Sequence, residues 1–360
     1  MRISKRTKVL AVSGALLGAA SAAVAVGTAV AAGTAVASQV RRRRGRHADA
    51  RFEGKVVVIT GASRGLGLAL AEAFGRAGAR LVLAARDPYE LERARALLLQ
   101  RGAADAARVL MIPFDLREEA QAREMIGRAT QHFGRVDVLV NNAGIITVGP
   151  MEQQSLEAFR DAMNTNFFGT LHCTQAVLPQ MLERHAGSIV NITSIGGKIA
   201  VPHLLPYSAS KFAAVGLSEG LHVELRSKGI QVTTVCPGLM RTGSHIRALF
   251  AGDREKEYRW FSLGAGLPLV SASAFSAAQK IVAAAARGAT EITITPQAFL
   301  GARLVGLAPS FTQVLLHLAT FALPDSKGQA KLVEGRQVRG AELSPLVALG
   351  NDASTRYNED

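Results

Sequence analysis

Residues 56–74 read VVVITGASRGLGLALAEAF. An apolar run closing at Thr60 is followed by three glycines, Gly61, Gly65 and Gly67, and then by an apolar segment of helix length. A buried strand, a glycine-rich turn and a helix in this order form a unit in which the main chain approaches an anion at the helix N-terminus. A tight turn without a ligand is the competing interpretation, but the strand and helix context favours a dinucleotide site.

Short apolar runs continue to alternate with amphipathic segments of helix length beyond this unit. The further predicted strands are LVLAA (81–85), VLMIP (109–113), VDVLV (136–140), SIVNITS (188–194), IQVTTV (230–235) and EITIT (291–295). Continuous apolar strands separated by helices predict a parallel sheet covered on both faces. We therefore expect an α/β protein with a doubly wound parallel sheet, a Rossmann fold, in a single catalytic domain over residues 51–296.

Composition excludes several classes of protein. The chain has 360 residues, of which 48% are hydrophobic, so it is neither disordered nor collagen-like. Its two cysteines, Cys173 and Cys236, cannot form a disulfide framework, and no residues have the spacing of metal ligands. We expect no bound metal.

The N-terminal leader, residues 1–50, carries much of the net charge of +14. Residues 9–40 are uncharged and long enough to span a bilayer, and the basic cluster RRRRGR follows at 41–46. We predict a membrane anchor with this cluster at the cytoplasmic face, and hence a catalytic domain facing the cytoplasm. A cleaved signal and a flexible arm of a cytoplasmic protein are the alternatives. With the charge concentrated here, we expect no binding of nucleic acid.

The pattern loosens after residue 238. Residues 239–275 mix glycine, arginine and aromatics, including Trp260, and we interpret them as a substrate lid. Residues 297–360 form a C-terminal extension, in which Pro309 splits an apolar stretch into two short helices. We favour packing of this pair on the body or on a second subunit over contact with a membrane interface. The polar tail that follows is predicted to be loosely ordered.

The end of the second strand indicates which dinucleotide binds. A site for NAD would offer an acidic side chain there for the ribose hydroxyls, but the sequence has Ala84, Ala85 and Arg86, and Asp87 follows late. Arg86 and Arg64 are suited to a 2′-phosphate. The sequence therefore favours NADP(H).

A candidate for proton transfer lies in YSASK, residues 207–211. Tyr207 and Lys211 are four residues apart on one helix face, and Ser194 ends a strand. An ammonium and an oxidised nicotinamide both favour the phenolate, so this pair can transfer protons although a tyrosine pKa is ordinarily about 10. Ser194 can polarise the substrate oxygen.

The full set of motifs resembles the short-chain dehydrogenase/reductase family. The resemblance covers about residues 52–240, with every main motif in order and at the usual spacing. The motifs are TGASRGLG at 60–67, Asp115, NNAG at 141–144, Asn166, Ser194, YSASK at 207–211 and PGLMRT at 237–242.

The resemblance implies a role for each matching residue. Tyr207 would be the acid/base, Lys211 would lower its pKa and bind the nicotinamide ribose, and Ser194 would orient the substrate carbonyl. Asn166, beside a helix kink, would hold a water that relays protons. The implied cofactor-binding residues are Gly61, Ser63, Arg64, Gly65, Leu66, Gly67, Arg86, Asp115, Asn142, Ala143, Gly144, Tyr207, Lys211, Pro237, Gly238 and Thr242. The family also implies a homo-oligomer.

The segment after Ser194, IGGKIAVPHLLP, would border the substrate and is mostly apolar. We therefore expect a hydrophobic, lipid- or steroid-like carbonyl or alcohol as the small-molecule substrate. A 3-oxoacyl thioester on an acyl carrier protein is the alternative substrate, and a non-catalytic NADP sensor is a further alternative. His203, in this segment, is interpreted as a solvated loop residue.

Overall fold

The structure is a computed structural model and describes residues 51–266, 271–325, 328–338 and 355–359, which belong to one compact unit from Ala48 to Asp360. The predicted membrane anchor falls on residues 1–50 and lies outside the described residues. Within the described ranges, none of the helices combines the length and the apolar character needed to cross a bilayer.

The predicted parallel sheet is confirmed. Seven strands pair in the order β11-β7-β6-β4-β1-β2-β3, and every pairing is parallel. Five shorter strands form two small sheets beside it. The strands are β1 Val56–Thr60, β2 Arg80–Ala85, β3 Val109–Pro113, β4 Val138–Asn141, β5 Thr147–Val148, β6 Gly187–Ile192, β7 Ile230–Cys236, β8 Met240–Arg241, β9 Leu249–Gly252, β10 Ala272–Ser273, β11 Glu291–Thr293 and β12 Gln329–Glu334.

Helices cover both faces of the large sheet, as the doubly wound fold requires. They are α1 Gly65–Arg76, α2 Pro88–Gln100, α3 Glu119–Phe133, α4 Leu156–Met163, α5 Gly169–Glu183, α6 Leu205–Arg226, α7 Arg254–Gly266, α8 Ala274–Arg287, α9 Pro296–Leu307 and α10 Pro309–Thr320. A π-helical turn, Asn164–Phe168, joins α4 to α5.

Alternate side chains of each strand enter two different cores. In β1, Val57 and Ile59 pack with α1 and α8, whereas Val56 and Val58 pack with α3 and α5. All four are at most 1% exposed. This burial on both sides explains why the strand reads as a continuous apolar run instead of an alternating one.

The order of the strands reverses between β1 and β4. From β1 the chain winds outward through β2 to β3, and then returns to β4 on the other side of β1. In open sheets of this kind, ligands bind in the crevice at the carboxyl ends of the strands beside this reversal. The glycine-rich turn after β1 therefore lies at the expected place.

The segment interpreted as a lid is more regular than its composition suggests. It contains β8, β9 and the helix α7, and β9 pairs with β5 on one side and with β12 on the other. A third core forms around Phe250, Tyr258 and Phe261. Pairing with β12, which belongs to the C-terminal extension, stabilises β9. The sequence of β9 shows no apolar–polar alternation that would predict a strand.

The C-terminal helix pair has the predicted form, with α9 and α10 meeting at Pro309. Most of its large apolar side chains do not pack on the body of this chain, so packing on the body is borne out only in part, and packing on a second subunit stays a prediction. The exposed ones are Phe299, Leu300, Leu307, Phe311, Val314, Leu315, Leu318 and Phe321. Among the buried residues of the pair are only small ones, Ala298 and Thr312.

Candidate active site

A cavity of about 1150 Å³ opens at the carboxyl ends of the strands. It receives residues from the segments after β1, β2, β3, β4, β6 and β7, and from α7, α9 and α10. Every predicted site residue except Asn166 lines it. The sequence prediction therefore selected residues that the fold brings together from segments far apart in the chain.

The glycine-rich turn is packed too tightly for side chains. A Cβ on Gly67 would lie 2.0 Å from the main-chain oxygen of Gly61, and a Cβ on Gly61, whose φ is +63°, would lie 2.9 Å from Cα of Ala143. Helix α1 begins at Gly65 without a side-chain cap from Arg64. Its N-terminus can therefore present main-chain N–H groups and a positive dipole end to an anion.

The NNAG segment is fastened to this turn. The hydroxyl oxygen of Thr60 accepts hydrogen bonds from the main-chain N–H groups of Asn142 (3.0 Å) and Ala143 (3.1 Å). In return, the Asn142 amide donates to the main-chain oxygens of Thr60 (3.0 Å) and Gly61 (3.2 Å). These bonds hold the cavity floor and the turn as one rigid surface that fits a diphosphate and the adjoining ribose.

At the end of the cavity where the adenosine is expected, Glu90 binds side chains that the sequence did not indicate as its partners. Its carboxylate lies 2.5 Å from the Arg64 guanidinium and 3.1 Å from that of Arg247, and it accepts a hydrogen bond from Ser63 (3.1 Å). Glu90 is 7% exposed. It therefore holds Arg64 and Arg247 at the cavity wall, and both of these arginines line the cavity. Neither Glu90 nor Arg247 belongs to a motif.

Asp87 lines the cavity and also binds the main chain at the start of α2. Its carboxylate caps α2 and accepts from the N–H groups of Tyr89 (2.8 Å) and Glu90 (3.1 Å). The bond from the Glu90 N–H, opposed by some burial and assisted by that from Tyr89, lowers the pKa of Asp87. Arg86, just before it, is exposed at the edge of the cavity. The observed cap explains why the acidic residue comes late in this sequence.

Asp115, which the resemblance places against an adenine, lines the cavity with its carboxylate bound to Arg117. The two nearest atoms, Oδ2 and Nη2, lie 2.6 Å apart. Burial raises the pKa of Asp115, but the hydrogen bonds from Arg117 outweigh it and leave the pKa below its ordinary value. Asp115 is therefore a charged acceptor at neutral pH.

Ser194, Tyr207 and Lys211 meet at the centre of the cavity. Ser194 follows β6, Tyr207 and Lys211 lie on α6, and the Ser194 hydroxyl is close enough to the Tyr207 phenol to affect its pKa. Burial raises the pKa of Tyr207, and the neighbouring Ser194 hydroxyl opposes this only in part. The phenol is therefore protonated at neutral pH and able to donate a proton.

Lys211 lies beneath this pair and is 5% exposed. Its Nζ donates to the main-chain oxygen of Ile192 (3.1 Å) and lies 5.8 Å from the centre of the Tyr207 ring. Burial lowers the pKa of Lys211 to about 8. Its ammonium group is charged at neutral pH, and it supplies the positive charge that a phenolate at Tyr207 requires.

Asn166 lies in the π-helical turn, behind the cavity wall. Its amide nitrogen donates to the Ser210 hydroxyl (2.9 Å) and to the main-chain oxygen of Ile145 (3.1 Å), while its Oδ1 accepts from the Ile145 N–H (2.9 Å). A Cβ on Gly144 would lie 2.8 Å from Asn166 Oδ1 and 3.5 Å from Lys211 Nζ. The residue thus connects the segment after β4 to α6, and its relay role stays a prediction.

The sequence analysis missed a contact between His203 and Glu257. His203, interpreted above as solvated, has a side chain only 13% exposed, and Nδ1 lies 2.8 Å from Oε1 of the buried Glu257 on α7. The other carboxylate oxygen accepts from Trp260 Nε1 (2.6 Å). Trp260 lines the cavity. The pair therefore joins the loop beside the substrate chamber to the helix that covers it.

The fold and the site together define a doubly wound α/β protein whose cleft, at the carboxyl ends of the strands, brings Ser194, Tyr207 and Lys211 together. The family model for short chain dehydrogenase matches residues 55–248, more than half of the chain. The chain therefore belongs to the short-chain dehydrogenase family. The match supports a nicotinamide-dependent oxidoreductase that acts on CH–OH and C=O groups.

Relatives and solved structures agree with this assignment. The chain is 40% identical, over 54% of its length, to the dehydrogenase/reductase SDR family protein 7-like of Drosophila melanogaster. A short-chain dehydrogenase/reductase from Burkholderia phymatum, in complex with NAD, matches 72% of this chain and 96% of its own with 29% identity and a TM-score of 0.64. Actinorhodin polyketide ketoreductase with NADPH matches 68% of this chain and 97% of its own, with 29% identity and a TM-score of 0.59.

The matched region covers only part of some relatives. It spans 60% of the Drosophila protein and 58% of the human dehydrogenase/reductase SDR family member 7, to which the chain is 39% identical.

Proposed function

We propose that the chain is an NADP(H)-dependent oxidoreductase that transfers hydride between the nicotinamide and the carbonyl or alcohol carbon of a hydrophobic substrate. One observation carries the proposal. Ser194, Tyr207 and Lys211 meet where the part of the cavity lined by the glycine-rich turn adjoins the part lined by apolar side chains. When bound, the nicotinamide supplies or accepts the hydride. The residues of the chain orient the substrate and move the proton.

In the reductive direction, Ser194 holds the substrate oxygen and Tyr207 donates its proton to that oxygen as the carbon is reduced. The raised pKa of Tyr207 keeps the proton available at neutral pH. The charged Lys211 then stabilises the phenolate until it is protonated again. Asn166 binds both α6 and the segment after β4. It therefore maintains the distance between the NNAG segment and the Tyr207 phenol.

Preference for NADP(H) is supported by two arginines at the adenosine end. Glu90 positions Arg64, and Arg86 is exposed at the cavity edge beside it. A guanidinium group matches a 2′-phosphate in charge and geometry. Asp87 caps α2 through one carboxylate oxygen, Oδ1, and follows later than the acidic residue expected at a site for NAD. The solved relatives do not decide the matter, since one holds NAD and another NADPH.

A hydrophobic substrate is supported by the lining beyond Tyr207. The side chains there come from five segments and are almost entirely apolar: Ile146, Ile199, Val201, Leu204, Leu239, Met240, Trp260, Phe261 and Leu316. Burial of apolar substrate surface against this wall stabilises the complex by about 25 cal/mol for each Å² removed from water. The wall offers few hydrogen-bond partners for hydroxyl groups of a substrate. A lipid- or steroid-like ketone or alcohol fits this wall better than a sugar.

Lipid contact through the C-terminal helix pair is part of the proposal. Leu316 of α10 faces the cavity, while its neighbours Leu315 and Leu318 are 43% and 51% exposed. The pair therefore separates the substrate chamber from a broad apolar surface, which suits a compound that arrives from a membrane. A second copy of the chain over this surface is the alternative, and light scattering in the absence of detergent distinguishes the two.

Reduction of a 3-oxoacyl thioester on a carrier protein is a second candidate function. The likeness to actinorhodin polyketide ketoreductase favours it. An acidic carrier would approach the basic residues around the cavity mouth. Turnover of carrier-bound substrates but not of free ketones would support this alternative.

The test is NADPH oxidation by the full chain over a series of ketones of graded chain length. We expect kcat/KM to rise with apolar length. Leu316→Ser should reduce kcat/KM for the longest ketones by about tenfold, because it places a hydroxyl in the apolar wall, and should hardly affect the shortest. Leu315→Ser, one residue away but exposed, is the matched control and should leave the series unchanged. A preference for small polar sugars would contradict the proposed substrate class, and binding without turnover would favour a sensor.

A further inference from the structure

The last described residues of the chain, 355–359, lie against the glycine-rich turn. Tyr357, Asn358 and Glu359 are 4%, 9% and 4% exposed, although they belong to a polar tail. The Tyr357 ring joins the core between the sheet, α1 and α8. The segment is therefore docked in the body of the protein, and the expectation of a loosely ordered tail does not hold for these residues.

Main-chain groups of the turn bind this segment directly. The N–H of Gly65, the first residue of α1, donates to the main-chain oxygen of Tyr357 (2.8 Å). The Asn358 amide donates to the main-chain oxygens of Ser63 (2.8 Å) and Glu90 (3.2 Å). The Gly65 N–H belongs to the set of donors that would otherwise meet a diphosphate.

Charged groups of this segment likewise take the place of a bound dinucleotide. The Glu359 carboxylate lies 3.5 Å from Nε of Arg64, and its main-chain oxygen accepts from Nε of Arg247 (3.2 Å). A Cβ placed on Gly65 would lie 2.5 Å from Oε1 of Glu359. A carboxylate therefore occupies the close approach to the helix N-terminus that the glycine leaves open, and it pairs with an arginine assigned to the 2′-phosphate.

We infer that the dinucleotide cleft has a second ligand, the chain's own C-terminal segment, residues 355–359, which must leave the cleft before the cofactor binds. The inference rests on the proposed dinucleotide site. The segment and a dinucleotide need the same space beside Gly65 and the same Arg64 guanidinium. The apparent cofactor affinity is then reduced by the fraction of molecules in which the segment is docked.

The test compares NADPH binding by the full chain and by a chain ending at residue 354, measured by NADPH fluorescence. We expect the shortened chain to bind about tenfold more tightly, which corresponds to a segment docked in about nine molecules of ten. The double variant Asn358→Ala/Glu359→Gln keeps the core contact of Tyr357, and it should recover part of this gain. The peptide ASTRYNED, residues 353–360, added to the shortened chain should weaken NADPH binding again, whereas a scrambled peptide should not.

The outcomes separate this inference from the proposed function. Equal dissociation constants for the full and shortened chains, or weaker binding by a shortened chain that unfolds at the same temperature, would overturn the inference alone. If the shortened chain is less stable, the double variant and the peptide decide, and no effect from either overturns the inference. Absence of NADPH and NADH binding by both chains would overturn the cofactor assignment and the inference with it.

Discussion

Nδ1 of His203 lies 2.8 Å from Oε1 of Glu257 and connects the loop after β6 to the helix over the substrate chamber. Glu257 is fully buried, and its other oxygen positions the Trp260 indole in the cavity wall. His203 itself adopts a φ of +62°, in the left-handed region, which histidine enters more often than most residues other than glycine.

His203→Ala should weaken the connection between the loop after β6 and α7, the helix over the substrate chamber. It leaves the buried Glu257 carboxylate with one partner fewer, which costs about 1–3 kcal/mol in the free energy of unfolding. We expect the melting temperature to fall by several degrees and KM for the hydrophobic substrate to rise, while NADPH affinity stays within about twofold. His185→Ala is the matched control, since His185 also has a positive φ, 48°, but lies outside the cavity lining. An unchanged KM in His203→Ala would contradict a role in the chamber.

Arg86→Asp should shift the cofactor preference from NADPH toward NADH. The substitution removes one predicted partner of the 2′-phosphate and introduces a charge that repels it. A lost charge-assisted hydrogen bond of about 1.5–3 kcal/mol corresponds to a loss of about 10- to 100-fold in kcat/KM with NADPH. Arg93→Asp makes the same charge change on an exposed position of α2 outside the cavity lining and should change little. An unaltered ratio of NADPH to NADH activity would refute the assignment of the arginines.

Gly67→Ala should abolish cofactor binding and destabilise the fold. The added Cβ would lie 2.0 Å from the main-chain oxygen of Gly61 and 2.7 Å from the Asn142 amide, so the turn must shift. Overpacking of this kind typically costs about 1–3 kcal/mol. Gly127→Ala, also within a helix but with open space around its Cβ, is the control and should stabilise the fold by about 0.5–1 kcal/mol. Chemical denaturation of both variants, with NADPH titration, measures the contrast. Normal binding by Gly67→Ala would contradict the tight turn.

Lys211→Met should make the protein more stable and inactive. Burial lowers the pKa of Lys211 from 10.5 to about 8, so the folded state carries the full cost of its charge at pH 7. Removing that cost should raise the free energy of unfolding by about 1–3 kcal/mol, after allowance for the lost bond to Ile192. The gain should shrink as the pH rises from about 8 toward 10.5, because the lysine then becomes neutral in both states.

Denaturant unfolding from pH 7 to 10 measures this difference. Lys228→Met, at an exposed position, is the control for loss of a lysine. A Lys211→Met protein that is less stable than the parent at pH 7 would show that the ammonium group stabilises the fold, contrary to this account.

Much of the fold could be predicted because the relevant signals are local. Most strands of the large sheet contain a short apolar run, and the structure finds β1 at the predicted residues and β7 longer by one residue, at Cys236. The glycine-rich turn, the YSASK helix and the break at Pro309 also depend on properties of neighbouring residues. The same local motifs supplied many of the residues that line the cavity.

The missed features all depend on contacts between distant parts of the chain. Asn358 binds Ser63 across 295 residues, and no local pattern predicts that contact. Strand β9 forms because β5 and β12 pair with it, although its own sequence, LFAG, shows no alternation. Glu90 looks like an ordinary residue of an amphipathic helix until Arg64 and Arg247 are placed beside it. Such partners are selected by the three-dimensional fold and not by helix or strand periodicity.

The central claim is that Tyr207 transfers the proton in a nicotinamide-dependent reaction. Tyr207→Phe should bind NADPH within about twofold of the parent, because the ring remains and only the hydroxyl beside Ser194 is lost. Its rate of hydride transfer in a single turnover should fall by about 10²- to 10⁴-fold, the usual contribution of a general acid. Tyr258→Phe removes a second buried phenol, in the core beside Phe250, and should keep the parental rate. A Tyr207→Phe protein that reduces its ketone at a rate close to that of the parent would contradict the account.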